Sequence, residues 1–205
     1  MQKNPSEPGE RISGGRTAEI FAWGNEYVIK LIRPGFPPYL ADQEYHFSGA
    51  VQAMGAPAPR PVELVDIEGR RGVILQRVTG PTMATQMWRS LARVNVYARL
   101  LGELHAGLHR LRAPDFPSQR ERVIYRLSES RYLSPELKHT LIRLAQSLPE
   151  DEVVCHGDFH PENVILAKEG PLVIDWESSM HGSPDGDVAN TVLWIRMALT
   201  FENRL

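Results

Sequence analysis

The pattern of apolar residues changes near residue 80, and this change constrains the fold more than any other feature. Before it, "EIFAWGNEYVIKLI" from Glu19 and "VELVDIEGRRGVILQRV" from Val62 predict β-hairpins, and "YLADQEYHFSGAVQAMG" between them predicts a helix ended by Gly55. After it, apolar residues recur at helical spacing. The sequence therefore predicts an α+β fold, with an antiparallel sheet of about five strands and one helix followed by a mainly helical part.

Three segments carry the helical pattern: "WRSLARVNVYARLLGELHAGLHRLR", "SQRERVIYRLSESRY" and "SPELKHTLIRLAQSL". The turn signal "QRVTGPT", which contains Gly80 and Pro81, predicts the joint between the two parts. A chain of 205 residues is long enough for one domain with two lobes. We therefore expect an N-terminal lobe at residues 1–79 and a C-terminal lobe at residues 80–205.

Charge and composition exclude several classes of protein. The formal net charge is -2, and acidic and basic residues are mixed along the chain, which argues against a nucleic-acid partner. The N-terminal segment is polar, and no run reaches the roughly 18 apolar residues of a membrane span. The single cysteine, Cys155, ends an apolar strand and is expected to be a buried thiol. We expect a soluble, cytoplasmic protein.

Polar residues lie between two apolar runs in "VVCHGDFHPENVIL", where His156, Asp158 and Asn163 form H-x-D-x-x-x-x-N. Twelve residues beyond Asn163, Asp175 follows another apolar strand in "PLVIDWE". This spacing is typical of phosphoryl transfer: one carboxylate accepts the proton of a hydroxyl, and an amide and a second carboxylate hold Mg²⁺ on phosphate oxygens. The alternative is that Asp and Asn stand here because they suit turns.

Residues near the N-terminus have the chemistry of a phosphate site. Gly14 and Gly15 would let backbone N–H groups approach phosphate oxygens, Arg16 and Thr17 would add donors, and Lys30 lies on a predicted strand. A plain turn at the glycines is the alternative. The segment is not a Walker A motif and also departs from the G-x-G-x-x-G of protein kinases.

Taken together, "VCHGDFHPENVIL", "LVIDWE" and "DVANT" resemble the aminoglycoside phosphotransferase and choline kinase group, the small-molecule branch of the protein-kinase-like fold. The opening "GGRTAEIFAWGNEYVIKLIRPGF" is also similar to bacterial members, so the resemblance extends from about Ile12 to about Leu199. It implies a bilobal kinase-like fold, ATP and Mg²⁺ as cofactors, and a small-molecule hydroxyl acceptor.

The resemblance assigns functions to the matching residues. Asp158 corresponds to the catalytic base, Asn163 and Asp175 to the metal ligands, and Lys30 to the lysine that pairs with the α- and β-phosphates. An ammonium held in place by a carboxylate is a fixed positive charge that need not reorganise when phosphate arrives.

Other assignments rest on the resemblance alone. Glu44 would hold the lysine in place, although Asp42 is close enough in sequence to compete. The backbone of Gln76 and Val78 would meet the adenine edge. Asp187 would brace the catalytic loop, and its structural alternative is an N-cap of the last helix.

The histidine pairs His156 and His160, and His105 and His109, have the i,i+4 spacing of zinc ligands. Neither pair has the H-E-x-x-H sequence, and no third ligand is evident. Packing or hydrogen bonding is the favoured interpretation, with His156 expected to support the catalytic loop.

The loop sequence favours a small acceptor over a protein. Gly157 stands where protein kinases usually carry arginine, only eleven residues separate Asp175 from Asp187, and no A-P-E follows. The alternatives left open are a protein Ser/Thr kinase, a nucleotide-binding or regulatory module without turnover, and a metal hydrolase using His156, Asp158 and His160.

Two further expectations concern the acceptor. The sequence ends at Leu205, where typical family members continue, so a compact acceptor, a wall from a second subunit in a homodimer, or a shortened inactive protein are all open. Glu177 and Asp185 would suit a cationic acceptor, but solvated acidic residues are the favoured interpretation.

Overall fold

The computed structural model of the protein describes residues 7–202. In chain order its elements are β1 (Arg11–Gly14), β2 (Ala18–Trp23), β3 (Tyr27–Ile32), α1 (Tyr39–Ala53), β4 (Pro61–Ile67), β5 (Arg70–Gln76), α2 (Met83–Arg89), α3 (Val94–Leu108), α4 (Gln119–Glu129), α5 (Pro135–Ser147), β6 (Val153–Cys155), β7 (Val164–Ala167), β8 (Gly170–Val173), β9 (Met180–Gly182) and α6 (Pro184–Glu202). Strands and helices in this arrangement confirm the α+β class.

The chain divides into two compact units. The first unit comprises Met1–Tyr97 and Pro161–Ser178, and the second comprises Ala98–His160 and Ser179–Leu205. The lobe boundary between residues 79 and 80 stays a prediction.

A five-stranded antiparallel sheet dominates the first unit, with the strand order β1-β2-β3-β5-β4. Both predicted hairpins are present. Gly24, with φ of 69°, lies in the turn between β2 and β3, and Glu68 and Gly69, with φ of 51° and 74°, form the two-residue turn between β4 and β5. Positive φ at both central residues gives a turn whose twist matches the strands it joins.

The two faces of the sheet are covered differently. On one face, Ile29 and Leu31 pack with Trp23 and Ile74. On the other face, Ile32 packs with Ala41 of α1, because side chains alternate along a strand. The same alternation places Lys30 on the α1 side.

The first unit also contains α2, the β7–β8 hairpin and three 3₁₀ turns, at Leu91–Arg93, Pro161–Asn163 and Trp176–Ser178. Thr82 caps α2, since its Oγ1 accepts from the Thr85 N–H at 3.1 Å. The continuous helix predicted from Trp88 is wrong at its start: α2 ends at Arg89, and Ser90 has a non-helical backbone with φ of -147° and ψ of 87°. A serine side chain competes for the backbone hydrogen bonds of a helix and is a weak helix former. The apolar spacing of the segment therefore did not predict the interruption at Ser90.

The second unit contains most of α3, the helices α4, α5 and α6, and the two-stranded β6–β9 sheet, in which Val153 pairs with Gly182. The predicted helices over "SQRERVIYRLSESRY" and "SPELKHTLIRLAQSL" are present as α4 and α5. Cys155 is fully buried beside Val153 and Met180, and this burial raises the pKa of its thiol, as expected for a structural cysteine. No helix within residues 7–202 combines the length and the apolar composition that a bilayer crossing needs.

Candidate active site

Lys30 is the centre of an ion cluster in the first unit. Its Nζ lies 3.0 Å from Oε2 of Glu44 and also pairs with Oδ1 of Asp175. Lys30 is 6% exposed and Glu44 is 1% exposed. Burial alone would lower the pKa of Lys30, but the carboxylates of Asp175, Glu44 and Glu177 outweigh it and raise the pKa well above its ordinary value. The lysine is therefore a fixed positive charge.

The structure distinguishes the two acids of α1 that competed for Lys30. Glu44 faces the lysine, whereas Asp42 pairs with Arg71 of β5 at 2.6 Å. Two residues along a helix are about 200° apart, so only one of the two acids can face the sheet at Lys30. The Glu44 carboxylate also accepts from Ser48 Oγ at 3.0 Å and from the Glu177 N–H at 3.1 Å, which hold it in position.

Glu177 belongs to the same cluster, so its interpretation as a solvated acid is wrong. Its Oε2 lies 3.0 Å from Lys30 Nζ, an ion pair without hydrogen-bond geometry, and the side chain is 12% exposed. Burial, together with Asp175 and Glu44, raises the pKa of Glu177 in spite of the lysine. Its Oε1 accepts from Thr17 Oγ1 at 3.4 Å, a weak link to the glycine segment. No sequence pattern indicated this contact.

Asn163 and Asp175 lie at the same end of the β7–β8 hairpin. Asn163 ends a 3₁₀ turn just before β7, and its carbonyl oxygen accepts from the Ile174 N–H at 2.9 Å. Asp175 follows two residues after β8 with φ of 71°, which is rare for a residue with a Cβ. Such backbone conformations are concentrated at functional sites. The hairpin register thus brings the two predicted metal ligands together.

A cavity of about 600 Å³ opens beside Lys30 within the first unit. Among the predicted residues its lining includes Gly14, Gly15, Thr17, Lys30, Glu44, Gln76, Val78, Asn163 and Asp175. Arg16 is exposed and does not line the cavity. The apolar lining residues that sequence reasoning missed include Ala18, Ile20, Val28, Leu75, Ile165 and Ile174. Strand alternation could have indicated Val28, because it shares a face with Lys30.

The glycine segment forms a tight turn at one edge of this cavity. The Gly15 N–H donates to the Ala18 carbonyl at 3.0 Å, and Arg33 Nε donates to the Gly15 carbonyl at 3.1 Å. A Cβ at Gly15 would meet no atom within 4 Å. The segment is thus a turn whose position 15 faces open space.

The loop that carries Asp158 belongs to the second unit and follows β6. The buried His156 ring accepts the Asp158 N–H at its Nδ1, at 3.3 Å. The Asp158 carboxylate lies 3.6 Å from His160 Nε2. Within residues 7–202, His156, Asp158 and His160, the set named in the metal-hydrolase alternative, are not among the groups of side chains close enough to share an ion.

Asp187 supports this loop from α6. Its Oδ2 accepts the His156 N–H and its Oδ1 accepts the Gly157 N–H, both at 2.9 Å. Because α6 begins at Pro184, Asp187 lies in its first turn and is not the N-cap. The loop is therefore held through its backbone.

The helical histidines contact the same carboxylate. His105 Nε2 and His109 Nε2 lie 2.9 and 3.2 Å from Asp187 Oδ2. Burial opposes ionisation of Asp187, but these hydrogen bonds hold its pKa well below its ordinary value. Hydrogen bonding, the favoured interpretation of this pair, agrees with the geometry, although Asp187 is a third potential ligand that the sequence did not reveal.

Comparisons with known proteins agree with this architecture. The model of the Phosphotransferase enzyme family (APH) matches residues 9–202. A search of curated proteins gave no significant match.

Three solved structures represent the structural matches. An aminoglycoside-3'-phosphotransferase of type VIII is 24% identical, with a TM-score of 0.60 over 89% of this chain and 74% of that chain. A choline/ethanolamine kinase family protein from Mesorhizobium loti is 22% identical, with a TM-score of 0.60 over 91% of this chain and 63% of that chain. An aminoglycoside phosphotransferase from Streptomyces rimosus, in complex with ADP and streptomycin, is 18% identical, with a TM-score of 0.56 over 87% and 75% of the two chains.

These structural matches show the kinase-like fold, and the family model covers nearly all of the residues that the structure describes. The chain belongs to the Phosphotransferase enzyme family and is a kinase-type phosphotransferase.

Proposed function

We propose that the protein transfers the γ-phosphate of ATP to a hydroxyl of a small molecule. The observation that carries this proposal is the buried Lys30, held by Glu44 and Asp175 beside a cavity that is partly lined by apolar residues. The apolar side chains suit an adenine ring, and the ammonium suits the phosphates. ADP bound to the Streptomyces rimosus enzyme supports the choice of an adenine nucleotide.

Asn163 and Asp175 would hold Mg²⁺ on the phosphates. Amide and carboxylate oxygens are the ligands this hard ion prefers, and both side chains line the cavity from one end of the β7–β8 hairpin. The donor set therefore fits the ion. When bound, Mg²⁺ would neutralise charge on the phosphate oxygens.

In the proposed chemical step, Asp158 acts as the general base. The acceptor oxygen forms a bond to the γ-phosphorus while the bond to the β-phosphate oxygen breaks, ADP leaves, and the hydroxyl proton passes to the Asp158 carboxylate. His156 accepts the N–H of this residue and Asp187 accepts the N–H groups of the two residues before it, so the backbone that leads into Asp158 is held in position.

Other features favour a small acceptor. Family membership and the short segment between Asp175 and Asp187 argue for a small molecule over a protein. The Streptomyces rimosus enzyme binds streptomycin, and a sugar, an amino alcohol or an aminoglycoside is the class we propose for this chain. Homodimer formation and a cytoplasmic location stay predictions from the sequence.

The test is a screen for acceptor-stimulated ADP release. Purified protein with Mg-ATP is offered amino alcohols, sugars and aminoglycosides, and ADP and phosphorylated product are quantified. We expect at least one acceptor to be phosphorylated in equal amount to the ADP released. Nucleotide binding without transfer to any compound of the panel would favour the regulatory-module alternative and contradict the proposal.

A further inference from the structure

Helix α6 runs alongside the loop that carries Asp158, and three of its residues meet that loop in succession. Asp187 accepts from the N–H groups of His156 and Gly157, and Asn190 Nδ2 donates to the Gly157 carbonyl at 2.7 Å. One turn later, the Trp194 ring centre lies 6.1 Å from that of His160. Positions i, i+3 and i+7 share one face of a helix, so Trp194 continues the row that holds the loop.

His160 connects Trp194 to the proposed base. Its Nε2 lies 3.6 Å from the Asp158 carboxylate, and its ring is tilted by 51° against the indole. The Asp158 carboxylate, the His160 imidazole and the Trp194 indole therefore form a row on the second unit. Trp194 remains 45% exposed, although a tryptophan side chain usually buries most of its large apolar area.

We propose that Trp194 is the surface on which the carbon skeleton of the acceptor rests, with its hydroxyl directed to Asp158. This inference rests on the proposed function and goes beyond it by assigning an acceptor-binding residue. The indole face carries negative partial charge and attracts C–H or N–H groups that are polarised positive. Amino alcohols and pyranose rings share this property, whereas the Asp158 carboxylate nearby repels an anionic acceptor.

A competing explanation is that Trp194 belongs only to a general apolar surface of α6. Val192, Leu193 and Met197 are also exposed. Val192 lies about 200° from Trp194 around the helix, so it is off the row formed by Asp187, Asn190 and Trp194. The variant Val192→Ala is therefore a matched control, with a similar exposed fraction of 43% on another face.

The experiment measures acceptor binding directly. Saturation-transfer NMR and calorimetry with a fixed panel of amino alcohols and methyl pyranosides are carried out on the wild type, Trp194→Ala, Trp194→Phe and Val192→Ala, each with Mg-ADP present. We expect Trp194→Ala to weaken binding of the best compound by about 3- to 30-fold, Trp194→Phe to retain most of the affinity, and Val192→Ala to match the wild type. Affinity for Mg-ADP should be equal in all four proteins.

Several results would overturn the inference. Equal acceptor affinity in the wild type and Trp194→Ala would do so, as would binding of neither compound class to the wild type. A change of oligomeric state in both Trp194→Ala and Val192→Ala, seen by sedimentation with unchanged acceptor affinity, would assign the surface to a second copy instead.

Acceptor binding that depends on Trp194 without phosphoryl transfer would count against the proposed function and leave the binding surface intact.

Discussion

A buried ammonium keeps its charge only where carboxylates compensate for the lost water. Lys30 has three such neighbours, and each has a different origin: Glu44 on α1, Asp175 after β8, and Glu177 in the 3₁₀ turn that follows. Removing one of these acids leaves the buried Lys30 charge less compensated. Substitution of a single acid of this cluster should therefore impair the site more than substitution of a surface acid.

Replacing Glu44 by Gln should weaken the nucleotide site. The amide removes a negative charge that positions Lys30, so kcat/KM for ATP should fall about tenfold or more. Asp42→Asn is the matched control, because this acid pairs with Arg71 and not with Lys30. Steady-state kinetics at varied ATP concentration measure kcat/KM for both variants. Equal losses of kcat/KM in the two variants would contradict the assignment of Glu44.

Replacing Asp158 by Asn tests the base. The substitution keeps the shape of the side chain and removes proton acceptance, so kcat should fall by roughly 10²–10⁴ while nucleotide affinity is retained. Turnover and Mg-ADP affinity are measured on the same protein. Unchanged turnover would mean that Asp158 only shapes the turn, because asparagine is equally suited to turns.

At the scale of elements, the loop after β6 is held by α3 and α6 through one carboxylate. Asp187 accepts hydrogen bonds from His105, His109 and two backbone N–H groups. A buried carboxylate with this many donors has a pKa well below its unfolded value, which links stability to pH. Its contribution is present above about pH 4, near the unfolded pKa, and is lost as the pH falls towards the folded pKa.

Asp187→Asn should lower the free energy of unfolding by about 2–4 kcal/mol at pH 7, because a neutral amide accepts fewer and weaker hydrogen bonds. The difference from wild type should shrink below about pH 4, where the unfolded wild-type chain takes up a proton that the variant cannot. Urea unfolding at pH 7 and at pH 3.5 measures both values. A difference that is independent of pH would show that folding leaves the pKa of Asp187 unchanged, and a difference that grows below pH 4 would show that the carboxyl group is protonated in the folded protein.

At the scale of the whole molecule, a ligand that binds only the folded state stabilises it by mass action. Mg-ADP at 100 times its Kd should add about 2.7 kcal/mol, which raises Tm by about 5–10 °C in a chain of this size. Because Asn163 and Asp175 would carry the metal, most of this gain should require Mg²⁺.

The corresponding experiment compares Tm with ADP and Mg²⁺ against Tm with ADP and EDTA. In the wild type the Mg²⁺-dependent part of the shift should be large, and in Asp175→Asn it should be nearly abolished. If Asp175→Asn reduced the Tm shift with ADP and Mg²⁺ and the Tm shift with ADP and EDTA equally, Asp175 would act through Lys30 and not as a metal ligand.

The sequence by itself determined what depends on neighbours along the chain. Alternation and turn residues predicted both hairpins of the large sheet, and the apolar runs around "HGDFHPEN" and before "VIDWE" predicted a loop at Asp158 and a strand that leads to Asp175. The pairing of β7 with β8, which brings Asn163 and Asp175 to one hairpin end, came from the structure. Only the tertiary structure decided which side chains meet: Glu44 and not Asp42 at Lys30, Glu177 beside them, and His105 and His109 on Asp187. The physical reason is that backbone periodicity is local, whereas the partner of a buried charge is set by elements far apart in sequence.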